Sequence, residues 1–132
     1  MYKRQGQKLG AFPTTFLVKS LNKAGVLEAI KNGRMYFSRG DGAVWPTLEG
    51  FLVSGEGNKR AFMGETLTTA RFPVIRARIA FNTDKEAPVT IRLIRGGTLI
   101  QTFTGTTPLE VEFTDREAPP GALTYYLSLI HI

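Results

Sequence analysis

Three arginines are the first residues with chemical potential. Arg76 and Arg78 alternate along the β-forming run Val74 to Phe81, and Arg92 sits in a second run, Pro88 to Ile94. Residues two apart on a strand share a face. If the two runs pair, the three guanidinium groups form a basic ladder of the kind that contacts phosphates. Two features weigh against that use. Single-stranded nucleic acid is held by aromatic side chains interleaved with the charges, and here Phe72 and Phe81 fit core positions better. Glu110 and Glu112, on the run Leu109 to Phe113, are placed to sit across from the arginines and offset them. The expected reading is a solvated charged face, with nucleic acid not the expected partner.

The other candidate contact is Trp45, the only tryptophan, followed by Pro46. An exposed indole can stack on a sugar, but a lone tryptophan more often fills a core or packs against a neighbouring domain. An alternative function class rests on it: a stand-alone or extracellular sandwich that binds glycan or protein through Trp45 and nearby loops.

Catalytic chemistry finds little material. There is no cysteine, so thiolate ligands and disulfides are excluded. The single histidine, His131, lies in a terminal stretch set aside below, and without it no histidine-activated nucleophile is expected. Asp41, Glu49, Glu56 and Glu65 do not have calcium-loop spacing. Arg39-Gly40-Asp41 spells an integrin-type tripeptide, yet glycine and aspartate are what turns prefer. Gly55-Glu56-Gly57 and Gly96-Gly97 lack the strand–loop–helix context of a phosphate loop. No catalytic, cofactor or metal residue is assigned.

The 132 residues suffice for one domain with one core, with 42% hydrophobic and 21% charged residues. No apolar run approaches the roughly 20 residues that span a bilayer, so no membrane is expected. The net charge is +6.

Both ends of the chain are unusual, and part of that charge lies in the first of them. Leu127-Ser128-Leu129-Ile130-His131-Ile132 resembles the translation of CTG-TCT-CTT-ATA-CAC-ATC, a transposon-end adapter used in preparing sequencing libraries. The reverse complement, GAT-GTG-TAT-AAG-AGA-CAG, read from its GTG as a start codon, encodes Met1-Tyr2-Lys3-Arg4-Gln5. Residues 1–5 and 127–132 are therefore expected to be adapter-derived, and such additions are kept out of fold reasoning. Setting Lys3 and Arg4 aside lowers the net charge to +4, and His131 ceases to be a native residue.

The elements follow from period and turn chemistry. Phe12 to Val18 reads as extended, because proline and β-formers disfavour a helix. Lys23 to Asn32 is predicted to be a short helix: Asn22 is the N-cap, Leu21 and Val26 occupy staple positions, and Gly33 is the C′ stop. Val26, Leu27 and Ile30 line one side of it. Beyond it the period becomes 2, with strands at Met35 to Ser38, Thr47 to Val53, Val74 to Phe81, Pro88 to Ile94, Thr98 to Phe103 and Leu109 to Phe113, and one more from Leu123. Turns fall at Gly40 to Gly42, Ser54 to Lys59, Arg95 to Gly97 and Ala118 to Gly121. The fold expected is mainly β: an antiparallel sandwich of about seven strands preceded by one short α-helix.

Leu27-Glu28-Ala29-Ile30-Lys31-Asn32-Gly33-Arg34-Met35-Tyr36-Phe37-Ser38 resembles a junction in proteins of the polymerase-and-histidinol-phosphatase (PHP) family, where it leads from the catalytic barrel into a C-terminal β-sandwich. Met63-Gly64-Glu65-Thr66-Leu67 is similar to their methionine-glycine-aspartate-threonine element. Val89 to Gly97 resembles their hairpin strand, and Phe12-Pro13-Thr14-Thr15 the closing segment of the barrel. The order is the family's, over most of residues 6–126. The resemblance implies that residues 6–33 are the end of an upstream barrel plus a linker helix, and that residues 34–126 are an accessory sandwich. The partner implied is the upstream catalytic domain of the same chain, a metal-dependent phosphoesterase or hydrolase with divalent metal ions. The family's histidine and carboxylate metal motifs have no counterpart here, so none of its catalytic residues carries over and this segment is expected to be non-catalytic.

Overall fold

A computed structural model describes residues 13–39 and 44–131. The Gly40 to Gly42 turn, Asp41, the integrin-type tripeptide and the N-terminal adapter-like stretch lie wholly or partly outside these. From the N-terminus the elements are β1 (Thr14–Phe16), α1 (Lys23–Lys31), β2 (Met35–Phe37), β3 (Pro46–Ser54), β4 (Arg60–Phe62), β5 (Val74–Phe81), β6 (Pro88–Arg95), β7 (Thr98–Thr106), β8 (Leu109–Thr114) and β9 (Tyr126–His131).

Helix α1 starts where Asn22, in extended backbone, accepts a hydrogen bond from the Gly25 amide at 2.8 Å. It stops at Gly33, whose φ of 68° suits a residue without a Cβ. The packing face differs from the expected one. Gly25 and Ala29 are the buried positions, while Leu27 and Ile30 are exposed. Gly25 has no room for a side chain, since a Cβ there would lie 2.0 Å from the carbonyl oxygen of Ser20 in the turn that leads into the helix. Leu21 is almost fully exposed, so the expected hydrophobic staple with Val26 does not form.

β1 and β2 pair as a separate antiparallel ribbon beside the helix. Arg34 joins the two. Its amide bonds the Ala29 carbonyl at 2.8 Å, its own carbonyl accepts from the Leu17 amide at 2.9 Å, and its guanidinium meets Glu28 at 2.8 Å.

The remaining seven strands form two antiparallel sheets, ordered β4-β3-β5-β8 and β7-β6-β9. Alternation directs β5: Ile75, Ala77 and Ile79 are buried while Arg76 and Arg78 point out. A cluster of Ile79 from the first sheet with Val89 and Ile91 from the second gathers Leu48, Phe103, Leu109, Val111 and Ile130 around it. Side chains from both inner faces thus interdigitate as in a sandwich. Phe103 of β7 meets Phe113 of β8 edge-on, centroids 6.5 Å apart.

Three connections cross between the sheets, β5 to β6, β7 to β8 and β8 to β9, and Thr107 pins the first two together. Its hydroxyl accepts from the Ala87 amide at 3.0 Å and its amide donates to the Ala87 carbonyl at 2.9 Å. The β6–β7 hairpin turns on Gly96 and Gly97, both at positive φ, as the Arg95-Gly96-Gly97 spacing predicted.

Several boundaries moved. β4 is not among the expected strands, because three residues are too few to show a period. β9 begins at Tyr126 rather than Leu123, since Leu123 and Tyr125 face solvent. Phe72, assigned to the core, is half exposed because it precedes the first paired residue of β5. The apolar stretch after Tyr126 completes β9 against β6, with Ile130 turned into the core and Leu127 and Leu129 outward.

Candidate functional site

β5 pairs with β8 in a register that sets Arg76 opposite Glu112 and Arg78 opposite Glu110. Arg76 Nε donates to Glu112 Oε2 at 2.6 Å. Arg78 Nε donates to Glu49 Oε2 at 2.6 Å, and its Nη1 reaches Glu110 Oε2 at 3.3 Å. These bonds raise the Arg78 pKa above its ordinary value, Glu49 contributing most. Three carboxylates thus surround two guanidinium groups, and the face has no surplus of positive charge.

Arg92 does not join them. It lies on β6, in the other sheet, between Thr102 of β7 and Leu129 of β9. The three-arginine ladder required β5 and β6 to pair, and the chain instead crosses between sheets there. Trp45 is half-buried. Its backbone amide donates to Asn82 Oδ1 at 2.9 Å and its carbonyl accepts from the Asn82 amide at 3.1 Å, which fastens the start of β3 to the end of β5. Lys85 lies over the Phe81 ring, 5.2 Å from its centre.

The most elaborate polar arrangement involves none of those four residues. Asp115, 2% exposed, follows β8. It accepts two hydrogen bonds from Arg95 Nη1 at 2.7 and 2.8 Å, one from the Tyr126 hydroxyl at 2.8 Å and one from the Glu117 amide at 3.1 Å. Burial alone pushes the carboxyl pKa up. Arg95, Tyr126 and the Glu117 amide together outweigh it and hold the group below its ordinary value. Burial, then the bond to Asp115, pushes the Tyr126 phenol up.

Beside this network lies an open cleft of about 420 Å³ between the start of β7 and the end of β8, lined by Leu99, Gln101, Phe113 and Arg116 among others. Sequence reading missed it, because Arg95, Asp115 and Tyr126 sit at the ends of three separate strands and no local spacing links them. Asp115 has its oxygens fully occupied by donors, so the network reads as a tie between sheets rather than a reactive group. Among the described residues no three histidine, cysteine, aspartate or glutamate side chains stand together as a metal-holding group, and no helix is long and apolar enough to cross a membrane. No protein family matches the chain, and neither a curated protein nor a solved structure does.

Proposed function

We propose that this chain is an accessory C-terminal sandwich of a PHP-type metal-dependent hydrolase, bracing or capping a catalytic domain that precedes it. The observation that carries this reading is the apolar surface of the helix–ribbon unit, residues 13–38. Leu21, Leu27 and Phe37 are 95%, 56% and 81% exposed, and Ile30 and Met35 are also exposed. Large apolar side chains grouped on one N-terminal unit mark an interaction surface more than scattered single ones do. In the proposed parent this unit joins barrel to sandwich.

Two of the family-like segments also meet in space. Gly64, of Met63 to Leu67, sits so close to the helix end that an added Cβ would lie 2.2 Å from the Asn32 carbonyl oxygen and 2.6 Å from Arg34 Cγ. The divalent ions of the parent's chemistry would be held upstream, since the residues here do not make up a ligand set. The same reading takes residues 1–5 and 127–132 as adapter-derived.

Sequencing outward from the source locus tests this. A frame running upstream into a histidine-rich barrel with a His-x-His motif, and departing from the adapter string at Tyr126, supports it; an upstream frame without that motif sinks the family reading. Within a longer protein, Leu27→Glu with Phe37→Glu is expected to loosen the two domains, read as separated thermal transitions. In the chain studied alone the same changes leave the sandwich melting unaltered.

A further inference from the structure

We propose that β7 is a self-pairing edge through which two copies of this chain join into one continuous six-stranded sheet. β7 is nine residues, Thr98–Thr106, about 30 Å of strand. Among the described residues it is paired on one side only, by β6. It carries no charged residue and no proline, and Thr98, Leu99, Thr102, Thr104 and Thr106 are exposed.

An open edge of this length is ordinarily blunted by shortness, charge or proline, because its unpaired N–H and C=O groups template another strand. The edges of the other sheet follow that rule. β4 has three residues, beginning with Arg60, and β8 carries Glu110 and Glu112. A β8 edge meeting its own copy would set glutamate against glutamate. β7 meeting its own copy antiparallel brings uncharged residues, four of the nine threonine, against one another, a pairing that strands tolerate well. Its one irregularity, the register shift at Leu93/Ile94 opposite Ile100, lies near the hairpin and leaves Gln101 to Thr106 regular.

The occupant is therefore a second copy, related by a two-fold axis, so that each β7 contributes the same surface. The neighbouring glutamates of β8 do not oppose this approach, being held on the outer face by Arg76 and Arg78. β9, the other edge of the same sheet, also lacks Lys, Arg, Asp and Glu but carries the adapter-like stretch, so it is the natural control. Edge pairing buries little area, and the dimer is expected to form and dissociate with concentration.

Sedimentation equilibrium of the 132-residue chain over a wide dilution series, in about 0.15 M salt to screen its net charge, tests the inference. The expected result is a reversible monomer–dimer equilibrium. Thr102→Lys with Thr104→Lys should weaken it at least about tenfold by placing like charges across the axis. Thr68→Lys, in a loop, and Leu129→Lys, on β9, should leave it unchanged. Hydrogen exchange on the wild-type chain provides a readout that needs no variant: β7 amides should gain protection with concentration. A monomer at every concentration, a mass climbing past the dimer, or a dimer broken by Leu129→Lys but not by the β7 pair overturns the proposal.

Discussion

Arg95 and Asp115 come from opposite sheets and meet at 2.7 Å, one at the end of β6 and the other just beyond β8. Tyr126, opening β9, completes the contact from the three-stranded side, while the Asp115 amide holds the Pro73 carbonyl at 2.9 Å where β5 begins. Four chain segments thus converge on Asp115, through its carboxylate and its backbone amide. In the cluster around Ile79, contact between the sheets is apolar and non-directional. Here it is directional, and it fixes how the two sheets meet at this end of the sandwich.

Removing the carboxylate leaves Arg95 partly buried without its counter-ion and the Tyr126 hydroxyl without its acceptor. Asp115→Ala is expected to cost about 3 kcal/mol of stability. Tyr126→Phe, which deletes one donor and leaves the ion pair, should cost about 1 kcal/mol. Urea denaturation at neutral pH checks both, and equal losses would show that the phenol, not the ion pair, holds the sheets.

The same network sets the pH dependence. The Asp115 carboxyl is held below its ordinary value, so its folded pKa lies under the unfolded value of about 3.9. Its stabilisation is complete above the unfolded pKa and is lost as pH falls through the folded one. Tyr126 is pushed above its ordinary value, so its contribution is complete below about pH 10 and is lost as pH rises beyond that. Urea midpoints across pH should show an acid limb that Asp115→Asn flattens and an alkaline limb that Tyr126→Phe flattens. A limb unchanged in its variant would assign it to other groups.

Ile79 is fully buried at the meeting of the two sheets. Ile79→Ala should cost about 4 kcal/mol, the removed methyl groups' transfer energy plus the cavity they leave. Ile75→Ala, nearer the end of the same strand, should cost less if the site collapses more easily. Denaturant midpoints with unchanged slopes would establish that both act on the folded core.

Gly64 stands at φ 81° against the Asn32 carbonyl. Gly64→Ala is strained both in backbone and in space and should cost about 2 kcal/mol. The loss should fall on the seam between helix and sandwich, so that amides of residues 23–34 exchange faster than those of β5 and β6. Uniform acceleration through the whole chain would show that the seam and the sandwich unfold as one unit.

The glutamates around Arg76 and Arg78 predict a null result with content. Arg76→Ala with Arg78→Ala should elute from a phosphate-rich resin at nearly the same salt as the parent, because each arginine is already paired within the sheet. A marked fall in elution salt would restore the basic-footprint reading.

The sequence by itself determined the local elements, since each depends on side chains within a few residues of one another. Asn22 and Gly33 delimit α1, Gly96 and Gly97 turn the β6–β7 hairpin, and alternation along Val74 to Phe81 chose which face of β5 is buried. The antiparallel sandwich of about seven strands followed from spacing and turns; seven strands make up its two sheets, with β4 among them while the expected Met35 to Ser38 strand pairs with β1 instead. Pairing of Arg76 and Arg78 with the glutamates of β8 was legible too, once β5 and β8 were supposed neighbours. Strand order was not. Which strands pair is settled by burying both sheet faces together, and that sent Arg92 to the opposite sheet and left β7 an open edge. The burial of Gly25 and Ala29 rather than Leu27 and Ile30 on α1 was not legible either, because hydrophobic periodicity ranks the larger side chains as the inward face. Tertiary packing alone assembled Arg95, Asp115 and Tyr126, whose attraction acts across space between residues that no sequence period connects.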